Sequence, residues 1–300
     1  MNKICLITNK DKDNNLEITN KVINYIKKHN KECILLKCYN GECDGLYTDV
    51  KTIPQDTDCI IVLGGDGTIL QAAHDIASRD IPIFGINLGT LGFLAEIETQ
   101  NIYQALDCLL SGQYTLENRM MLQGCIIRDG KKIYEGSVLN EIVVARSGFS
   151  RVISLSVSVN DELVYRYRGD GVLLSTPTGS TGYNLSAGGP VLRPNNKMIV
   201  LTPICPHSLN TRSIVLSGDD KVTVKVEKSK KTQDNEAITT FDGKESIMLH
   251  ADDIIEIKKS NLETKLIRFY ENNFFETLRT KIGYCEDEIW KYQDKVKLLS

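Results

Sequence analysis

The stretch Ile60–Leu70, IIVLGGDGTIL, decides the fold of this 300-residue chain. An apolar run of buried-strand type leads directly into a glycine-rich turn and then into a helical pattern. Glycines let a ligand approach the backbone closely, and the first amides of a helix are free to bind phosphate. Because the loop follows the carboxyl end of a strand, it lies where ligands bind in open α/β sheets. The stretch therefore predicts an α/β fold with a phosphate loop that includes Gly64, Gly65 and Thr68.

Asp66 is the unusual residue of this loop, because a carboxylate repels phosphate unless it has a task. It is suited to accept a proton from an attacking hydroxyl or to help place a metal ion. The alternative interpretation is a turn aspartate that hydrogen-bonds its own backbone. The loop lacks the Gly-Lys-Ser/Thr of a Walker A sequence, and the first strand ends in Thr8-Asn9-Lys10 without a GxGxxG fingerprint. The sequence thus favours a phosphate site that differs from both of these nucleotide-binding loops.

Strand and helix patterns alternate through the first third of the chain, which indicates a parallel sheet covered by helices. The predicted strands are Lys3–Thr8, Glu32–Cys38, Asp58–Leu63 and Ile81–Asn87. The predicted helices are Asn15–His29, Gly67–Arg79 and Asn101–Leu110.

The pattern changes near Tyr114, and from there to about Tyr270 a period of two predicts mostly antiparallel strands. Asp129-Gly130 and Asn160-Asp161 separate such runs and are typical of hairpin turns. Helical spacing returns over Asn272–Ile282. We therefore predict an α/β domain over residues 1–114, with residues 271–300 packing back on it, and a β-rich domain over residues 115–270.

A second candidate site follows Gly169-Asp170-Gly171 and lies in the hydroxyl-rich stretch Ser175–Tyr183, STPTGSTGY. Its serine and threonine hydroxyls are able to donate hydrogen bonds to phosphate or ribose oxygens without any net charge. Ser180 or Thr181 is predicted to cap a short helix that Gly188-Gly189-Pro190 ends. A serine-hydrolase elbow would need Gly-x-Ser-x-Gly, which Ser180 lacks. Ligand binding is favoured over an ordinary hydroxyl-rich turn.

Two further polar clusters carry weaker signals. Asn140 and Glu141 form a polar pair in an otherwise apolar strand, and adjacent strand residues point to opposite faces, so at most one side chain would face a given side. Taken alone, the pair is expected to be one solvent-facing and one capping residue. Cys205 and His207 are too close in sequence for a typical Cys/His nucleophile pair. His207 is therefore expected to be structural or at a subunit contact.

Composition and charge exclude several classes of function. A net charge of -3 predicts no general attraction to nucleic acid or anionic membranes, so an anionic ligand must be held by local features. No apolar run approaches the roughly 18 residues of a spanning helix, and the N-terminus lacks the features of a signal peptide. The nine cysteines include no CxxC pair, and Cys33, Cys38 and Cys43 do not match zinc-site spacing. Reduced thiols in a cytoplasmic protein are expected.

Taken together, several stretches resemble the NAD kinase family. They are Gly64–Thr68, Gly85–Leu94, Asn140-Glu141, and Gly169-Asp170-Gly171 with Thr176–Pro190, and they occur in the family's order. The TPTGSTGY block is the most specific of them, although Gly182 stands where the family often has alanine. The resemblance implies an α/β domain followed by a β-rich domain. It also implies transfer of a phosphoryl group from ATP or polyphosphate to the adenosine ribose 2′-hydroxyl of NAD, which gives NADP.

The same resemblance implies roles for particular residues. Asp66 would be the base that takes the proton of the 2′-hydroxyl, with Gly67 beside it in the substrate site. Asn140 and Glu141 would contact the dinucleotide, which replaces the default interpretation of that pair.

The remaining substrate contacts implied by the resemblance follow the second candidate site. Arg168 and Asp170 would line the nicotinamide side, and Arg151 would also reach the site. The adenosine wall, with Tyr183 against the adenine, would consist of Thr181, Gly182, Tyr183, Asn184, Leu185 and Ser186.

The resemblance further implies Mg²⁺ or another divalent cation that comes with the nucleotide, and a homo-oligomer, a dimer or a tetramer. No residue of the chain is assigned as a metal ligand. Neither a nucleic acid nor a membrane is expected as a partner. Two alternatives stay open: a lipid kinase of the diacylglycerol or sphingosine type, whose loop is similar to Gly64–Thr68, and a non-catalytic NAD(P)-binding sensor on the same fold. The chain shows no basic amphipathic helix for membrane docking, and Asp66 argues against the sensor.

Overall fold

The computed structural model describes residues 1–36, 48, 50–89, 92–148, 152–208, 210–228, 237–269 and 274–282. The chain forms two units. The first contains Met1–Asn118 and the described part of Lys265–Ser300, and the second contains Arg119–Thr264. Within the described residues, no helix is long and apolar enough to cross a membrane.

Helices alternate with strands in the first part of the chain, and strands predominate after it. The chain begins with β1 Lys3–Thr8, α1 Glu17–Lys28, β2 Glu32–Leu35, β3 Cys59–Gly64, α2 Asp66–Ile76, β4 Ile83–Asn87, β5 Ile97–Glu98, α3 Ile102–Ser111 and β6 Thr115–Arg128. It continues with β7 Lys131–Val138, β8 Glu141–Arg146, β9 Ile153–Val159, β10 Glu162–Gly169, β11 Gly171–Ser175, α4 Tyr183–Ser186, β12 Met198–Ile204 and β13 Ile214–Ser217. It ends with β14 Val222–Val226, β15 Ala237–Phe241, β16 Glu245–Leu249, β17 Ile254–Arg268 and α5 Phe274–Ile282.

The first unit is built on a parallel sheet in the order β2-β1-β3-β4, and the end of β17 joins β4 at Leu266. All six residues of β3 are buried, as expected for a parallel strand covered on both faces. Helix α1 buries Val22 and Ile26, which lie one turn apart on the same face. The rings of Phe84 and Phe269 pack edge to face, with centroids 5.0 Å apart. The carboxyl ends of β1 and β3 therefore lie side by side above this core.

The second unit contains a six-stranded antiparallel sheet in the order β13-β12-β11-β8-β15-β16 and a run of paired strands in the order β10-β9-β14-β17. Both predicted hairpin turns are confirmed. Asp129 and Gly130 have φ angles of 50° and 73°, and Asn160 and Asp161 have φ angles of 49° and 67°. Positive φ at both central residues defines a type I′ turn, which Asn, Asp and Gly adopt most readily.

The predicted fold class is confirmed: an α/β unit with a parallel sheet and a β-rich antiparallel unit. The predicted helix Asn15–His29 forms over Glu17–Lys28, and the predicted strand Glu32–Cys38 forms over Glu32–Leu35. Cys38 and Cys43 lie outside the described residues, whereas Cys33 is a free, buried thiol.

Candidate active site

The glycine loop joins β3 to α2 in a tight turn. Gly64 ends the strand, and a Cβ atom there would lie 2.4 Å from Oγ1 of Thr68. The loop therefore requires glycine at this position, because a side chain would collide with the first turn of the helix. Helix α2 begins at Asp66, so the free amides at its N-terminus and the Asp66 carboxylate belong to the same turn.

The carboxylate of Asp66 is held in place by three successive backbone amides. Oδ2 accepts a hydrogen bond from Phe93 N–H at 2.7 Å, and Oδ1 accepts bonds from Leu94 and Ala95 N–H at 3.0 and 3.3 Å. An ionised carboxylate has about four lone-pair sites, so Oδ2 keeps one for a further donor. The alternative interpretation was a turn aspartate that bonds its own backbone. The three amides that bond Asp66 instead belong to residues 93–95, in a different loop. Asp66 is a fixed acceptor that faces a cavity.

Gly92 makes this arrangement of Asp66 possible. A Cβ atom at Gly92 would lie 1.9 Å from Oδ1 and 2.2 Å from Cγ of Asp66. The backbone of residue 92 therefore passes directly beside the carboxylate, and only glycine leaves room for it. Gly92 belongs to the family motif Gly85–Leu94, but the sequence alone assigned it no role. Thr90 and Leu91 of that motif lie outside the described residues.

The cavity beside Asp66 measures about 530 Å³, and all of its described lining belongs to the first unit. Its described lining combines glycine backbone, polar side chains and two lysines: Asn9, Lys12, Gly65, Asp66, Gly67, Thr68, Gln71, Gly92 and Lys281. Asn9 and Lys12 were missed as candidates. The sequence contained the information to predict them, because Asn9 and Lys12 follow the first predicted strand of the parallel sheet. The carboxyl ends of such strands form the edge at which ligands bind.

In the second unit, Asp242 organises the Asn140-Glu141 corner. Its carboxylate accepts hydrogen bonds from Leu139, Asn140 and Glu141 N–H at 2.7, 2.9 and 2.9 Å. Asp242 and Gly243 have φ angles of 49° and 70° and form the turn between β15 and β16. This Asp-Gly turn was also missed, although an Asp-Gly pair between alternating runs is a strong hairpin signal.

The expectation that Asn140 and Glu141 point to different sides is wrong. Nδ2 of Asn140 and Oε2 of Glu141 lie 3.6 and 3.4 Å from the position that a Cβ atom of Gly182 would occupy. Both side chains therefore reach the same place. The physical reason is that β8 begins at Glu141, so Asn140 lies in the preceding bend and does not follow the strand's alternation.

Each of these two side chains also has one buried oxygen atom without a hydrogen-bond partner among the described residues. These atoms are Oδ1 of Asn140 and Oε2 of Glu141. Leaving such a group unsatisfied costs about 1–3 kcal/mol. The corner is therefore suited to a ligand that supplies hydrogen bonds. Burial, and then the nearby Asp242 carboxylate, raise the pKa of Glu141 to about 8.

The raised pKa of Glu141 predicts a pH-dependent stability. A carboxyl group whose pKa is higher in the folded state stabilises the fold at low pH and loses this contribution as pH rises through the folded value. Between pH 5 and 8 the free energy of unfolding is expected to fall more steeply for the wild type than for Glu141→Gln, by up to about 1.4 kcal/mol per pH unit. Urea unfolding at several pH values measures this, with the exposed Glu162→Gln as the matched control. Parallel profiles for wild type and Glu141→Gln would contradict it.

The hydroxyl-rich loop mostly bonds to itself and its surroundings. Thr176 donates its hydroxyl to Leu139 C=O at 2.6 Å and accepts Gly179 N–H at 3.1 Å. Ser180 donates to Pro177 C=O at 2.6 Å and accepts Leu192 N–H at 3.0 Å. The prediction that Ser180 or Thr181 caps a short helix is wrong, because the residue before α4 is Gly182 and no side chain caps it. The buried hydroxyls therefore stabilise the loop through internal hydrogen bonds. Contact with a ligand is left to the more exposed residues of the loop.

The loop presents Tyr183 and Gly182 on its accessible side. Tyr183 is 44% exposed, and the pKa of its hydroxyl is raised by burial and then by Cys205, Asp170 and Glu141 nearby. Asn184, in contrast, is fully buried. Its amide group donates to Ser180 and Pro190 C=O and accepts the Thr202 hydroxyl at 2.7 Å. The side chain of Asn184 therefore supports this surface from behind.

The remaining candidates lie around the start of β11. Asp170 accepts a hydrogen bond from Nε of Arg146 at 2.6 Å, so its charge is paired. Arg168 is exposed, and its backbone carbonyl accepts His207 N–H at 2.7 Å. The backbone of His207 therefore has a structural role, because this hydrogen bond ties it to the end of β10. Arg151 lies outside the described residues.

Two family models match the chain in succession. The ATP-NAD kinase N-terminal domain matches residues 4–114, and the ATP-NAD kinase C-terminal domain matches residues 139–269. The chain belongs to the NAD kinase family. The matched segments contain the glycine loop in one case and the Asn140-Glu141 corner with the hydroxyl-rich loop in the other.

Curated relatives agree with this assignment to the NAD kinase family. An NAD kinase from Lachnoclostridium phytofermentans is 52% identical over 285 residues, which cover 94% of this chain and 99% of that protein. An NAD kinase from Thermoanaerobacter sp. is 42% identical over 287 residues, with 94% and 99% coverage.

Solved NAD kinase structures have a similar fold. An NAD kinase from Archaeoglobus fulgidus in complex with ATP is 27% identical, with a TM-score of 0.73 and coverage of 93% of this chain and 98% of that one. Yeast NADH kinase complexed with NADH reaches a TM-score of 0.82 at 23% identity, with coverage of 96% and 89%. The second similarity supports the fold alone.

Proposed function

We propose that this member of the NAD kinase family transfers a phosphoryl group from ATP, or from polyphosphate, to the 2′-hydroxyl of the adenosine ribose of NAD. One observation carries the proposal: the Asp66 carboxylate is fixed by three amides at the start of α2, beside a cavity that also contains Lys12. This places an immobilised acceptor beside free helix amides, which suit donor phosphates. The curated relatives named NAD kinase support the choice of acceptor.

The chemical step assigns one role to Asp66. The ribose oxygen forms a bond to the terminal phosphorus of the donor while the bond from that phosphorus to the bridging oxygen breaks. The hydroxyl proton passes to Asp66 Oδ2, and ADP or the shortened polyphosphate leaves. Phosphoryl transfer depends chiefly on positioning and charge stabilisation. General-base assistance contributes a further 10²- to 10⁴-fold, roughly.

The proposed dinucleotide contacts come from the second unit. The unsatisfied Oδ1 of Asn140 would accept a hydrogen bond from the ligand. The unsatisfied Oε2 of Glu141 would accept one as a carboxylate or donate one when the carboxyl is protonated. Arg168 and Asp170 would line the nicotinamide side, and Arg151 remains an assignment by family resemblance. The wall against the adenosine would consist of Thr181, Gly182, Tyr183, Leu185 and Ser186, with Asn184 behind it.

A divalent cation would fit this site as a companion of the donor phosphates. Among the described residues, no group of three or more His, Cys, Asp or Glu side chains is placed to hold a metal ion. Asp66 is the single carboxylate in the described lining of the cavity, and Mg²⁺ is usually held by one or two carboxylates together with substrate phosphates. The ion would supply charge neutralisation on those phosphates.

Two further properties belong to the proposal. The free, buried thiols of Cys5, Cys33, Cys59 and Cys108 agree with a reducing cytoplasmic location. A homo-oligomer, a dimer or a tetramer, is proposed from the family resemblance.

One assay tests the proposed function. Purified protein is incubated with ATP, magnesium and NAD, and NADP is measured with an NADP-specific dehydrogenase. Formation of NADP is the expected result. A parallel reaction contains diacylglycerol in place of NAD. Phosphorylated lipid without NADP would favour the lipid kinase, and NAD binding without turnover would favour the sensor.

A further inference from the structure

The cavity beside Asp66 contains two cationic side chains to which the proposed reaction assigns no role. Lys12 and Lys281 line it together with the glycine loop, and Asp66 is the single carboxylate in the described lining. Each lysine comes from a different part of the sequence, the turn after β1 and the last turn of α5. Their charges therefore converge on the same cavity only in the folded first unit.

The ammonium group of Lys12 lies close to the backbone of the glycine loop. Its Nζ lies 3.0 Å from the position that a Cβ atom of Gly65 would occupy and 3.5 Å from the corresponding position at Gly89. These two distances place the ammonium group of Lys12 directly against the backbone of the glycine loop. A phosphate bound at the N-terminus of α2 would lie close to this ammonium group.

The turn that carries Lys12 is firmly built. Asn9 N–H donates to Leu63 C=O at 2.9 Å, and Nδ2 of Asn9 donates to Oγ1 of Thr68 at 3.2 Å. At the other end of the turn, buried Asp13 accepts Thr19 N–H and the Thr19 hydroxyl at 2.8 and 2.6 Å. The backbone at Lys12 is thus tied to β3, to α2 and to α1. This distinguishes it from a lysine on a loose surface loop.

Lys281 reaches the cavity from a helix that contacts the segment holding Asp66. The ring centroids of Phe274 and Phe93 are 6.1 Å apart, and Phe93 N–H donates to Asp66. Lys281 follows Phe274 by seven residues, so both lie on the same face of α5. A cation in the last turn of a helix also balances the helix dipole, which is the purely structural alternative for this lysine.

We infer that Lys12 and Lys281 form a cationic clamp for the phosphate chain of the phosphoryl donor. Lys12 binds the phosphate next to the glycine loop, and Lys281 binds the part of the chain that extends from it. The inference rests on the proposed function and adds the donor-binding residues to it. It also accounts for anionic substrates on a chain of net charge -3, because the positive charge is concentrated at the site.

The test uses charge-removing variants with matched controls. Lys12→Met and Lys281→Met are compared with Lys10→Met in the same turn and Arg279→Met on the same helix, two exposed positions outside the described lining of the cavity. Initial rates give KM for ATP and for NAD separately. Calorimetry with inorganic tripolyphosphate, in the absence of NAD, gives Kd for the phosphate chain alone.

The clamp predicts that Lys12→Met raises KM for ATP and Kd for tripolyphosphate by about 10- to 100-fold, the effect of one charged hydrogen bond. Both lysines are exposed, but only Lys12 has its ammonium group beside the glycine loop, so a smaller increase of about 3- to 10-fold is expected for Lys281→Met. KM for NAD stays within about twofold, and Lys12→Arg retains most of the affinity because it keeps the charge.

Two outcomes separate failure of the clamp from failure of the proposed function. Values of Kd for tripolyphosphate within about twofold of wild type in both lysine variants, or equal shifts in the controls, would overturn the clamp. A wild type that binds tripolyphosphate through these lysines but makes no NADP would retain the clamp and reject the reaction.

Discussion

Replacement of Asp66 by asparagine is expected to lower kcat for NADP formation by about 10²- to 10⁴-fold, the usual contribution of a general base. Asparagine has nearly the same shape but takes no proton from the ribose hydroxyl. Its amide nitrogen would also face one of the three N–H groups that now bond the carboxylate. The affinity for NAD is expected to change little, because the other proposed dinucleotide contacts, Asn140 and Glu141 among them, are unchanged in this variant. Steady-state kinetics and calorimetry with NAD measure the two effects separately.

The matched control for this variant is Asp11→Asn. Asp11 is an exposed carboxylate in the turn after β1 and is not part of the described lining of the cavity. The same loss of one charge there is expected to leave kcat within about twofold, as is usual for surface substitutions. Near-normal turnover in Asp66→Asn would reject Asp66 as the base.

The second large effect is expected for Gly92→Ala. The new Cβ atom would lie 1.9 Å from Asp66 Oδ1, so either the carboxylate or the backbone after Gly92 must move. Either movement breaks hydrogen bonds that fix the base. Because a misplacement of about 1 Å is able to cost roughly 10²-fold in rate, we expect kcat to fall by about that factor. Initial-rate measurements at saturating NAD and ATP provide the test.

Gly148→Ala is the control for the added methyl group, since a Cβ atom there meets nothing within 4 Å. A double variant makes the test sharper. If Gly92 acts through Asp66, Gly92→Ala and Asp66→Asn affect the same interaction, and the double variant is expected to be little slower than Asp66→Asn alone. Independent, multiplying losses would show that Gly92 acts elsewhere.

The local part of the first site was predictable from the sequence. The buried strand Cys59–Gly64 and the helix that begins at Asp66 follow from a continuous apolar run, glycines and helical spacing within a few residues. The neighbours of Asp66 were not predictable in this way. Gly92 and the amides of residues 93–95 come from a different loop, and only the folded backbone brings them to the carboxylate.

The second site shows a similar division. The hairpin turns at Asp129-Gly130 and Asn160-Asp161 were predictable because turn type depends on the turn residues themselves. The Asn140-Glu141 pair was misread because a shift of one residue in the start of β8 changes which side chains face together. The hydroxyls of the loop after β11 were expected to face a ligand. Most of them bond internally, since backbone groups in a buried loop require partners.

Phosphorus NMR of the reaction product tests the central claim most directly. Wild type, Asp66→Asn and Asp11→Asn are each incubated with NAD, ATP and magnesium, and the new phosphate monoester is assigned by comparison with authentic NADP. The proposed function predicts a 2′-phosphate that wild type and Asp11→Asn form at similar rates, while Asp66→Asn forms it at least about 10²-fold more slowly. No 2′-phosphate with the wild type, or an unchanged rate with Asp66→Asn, would contradict it.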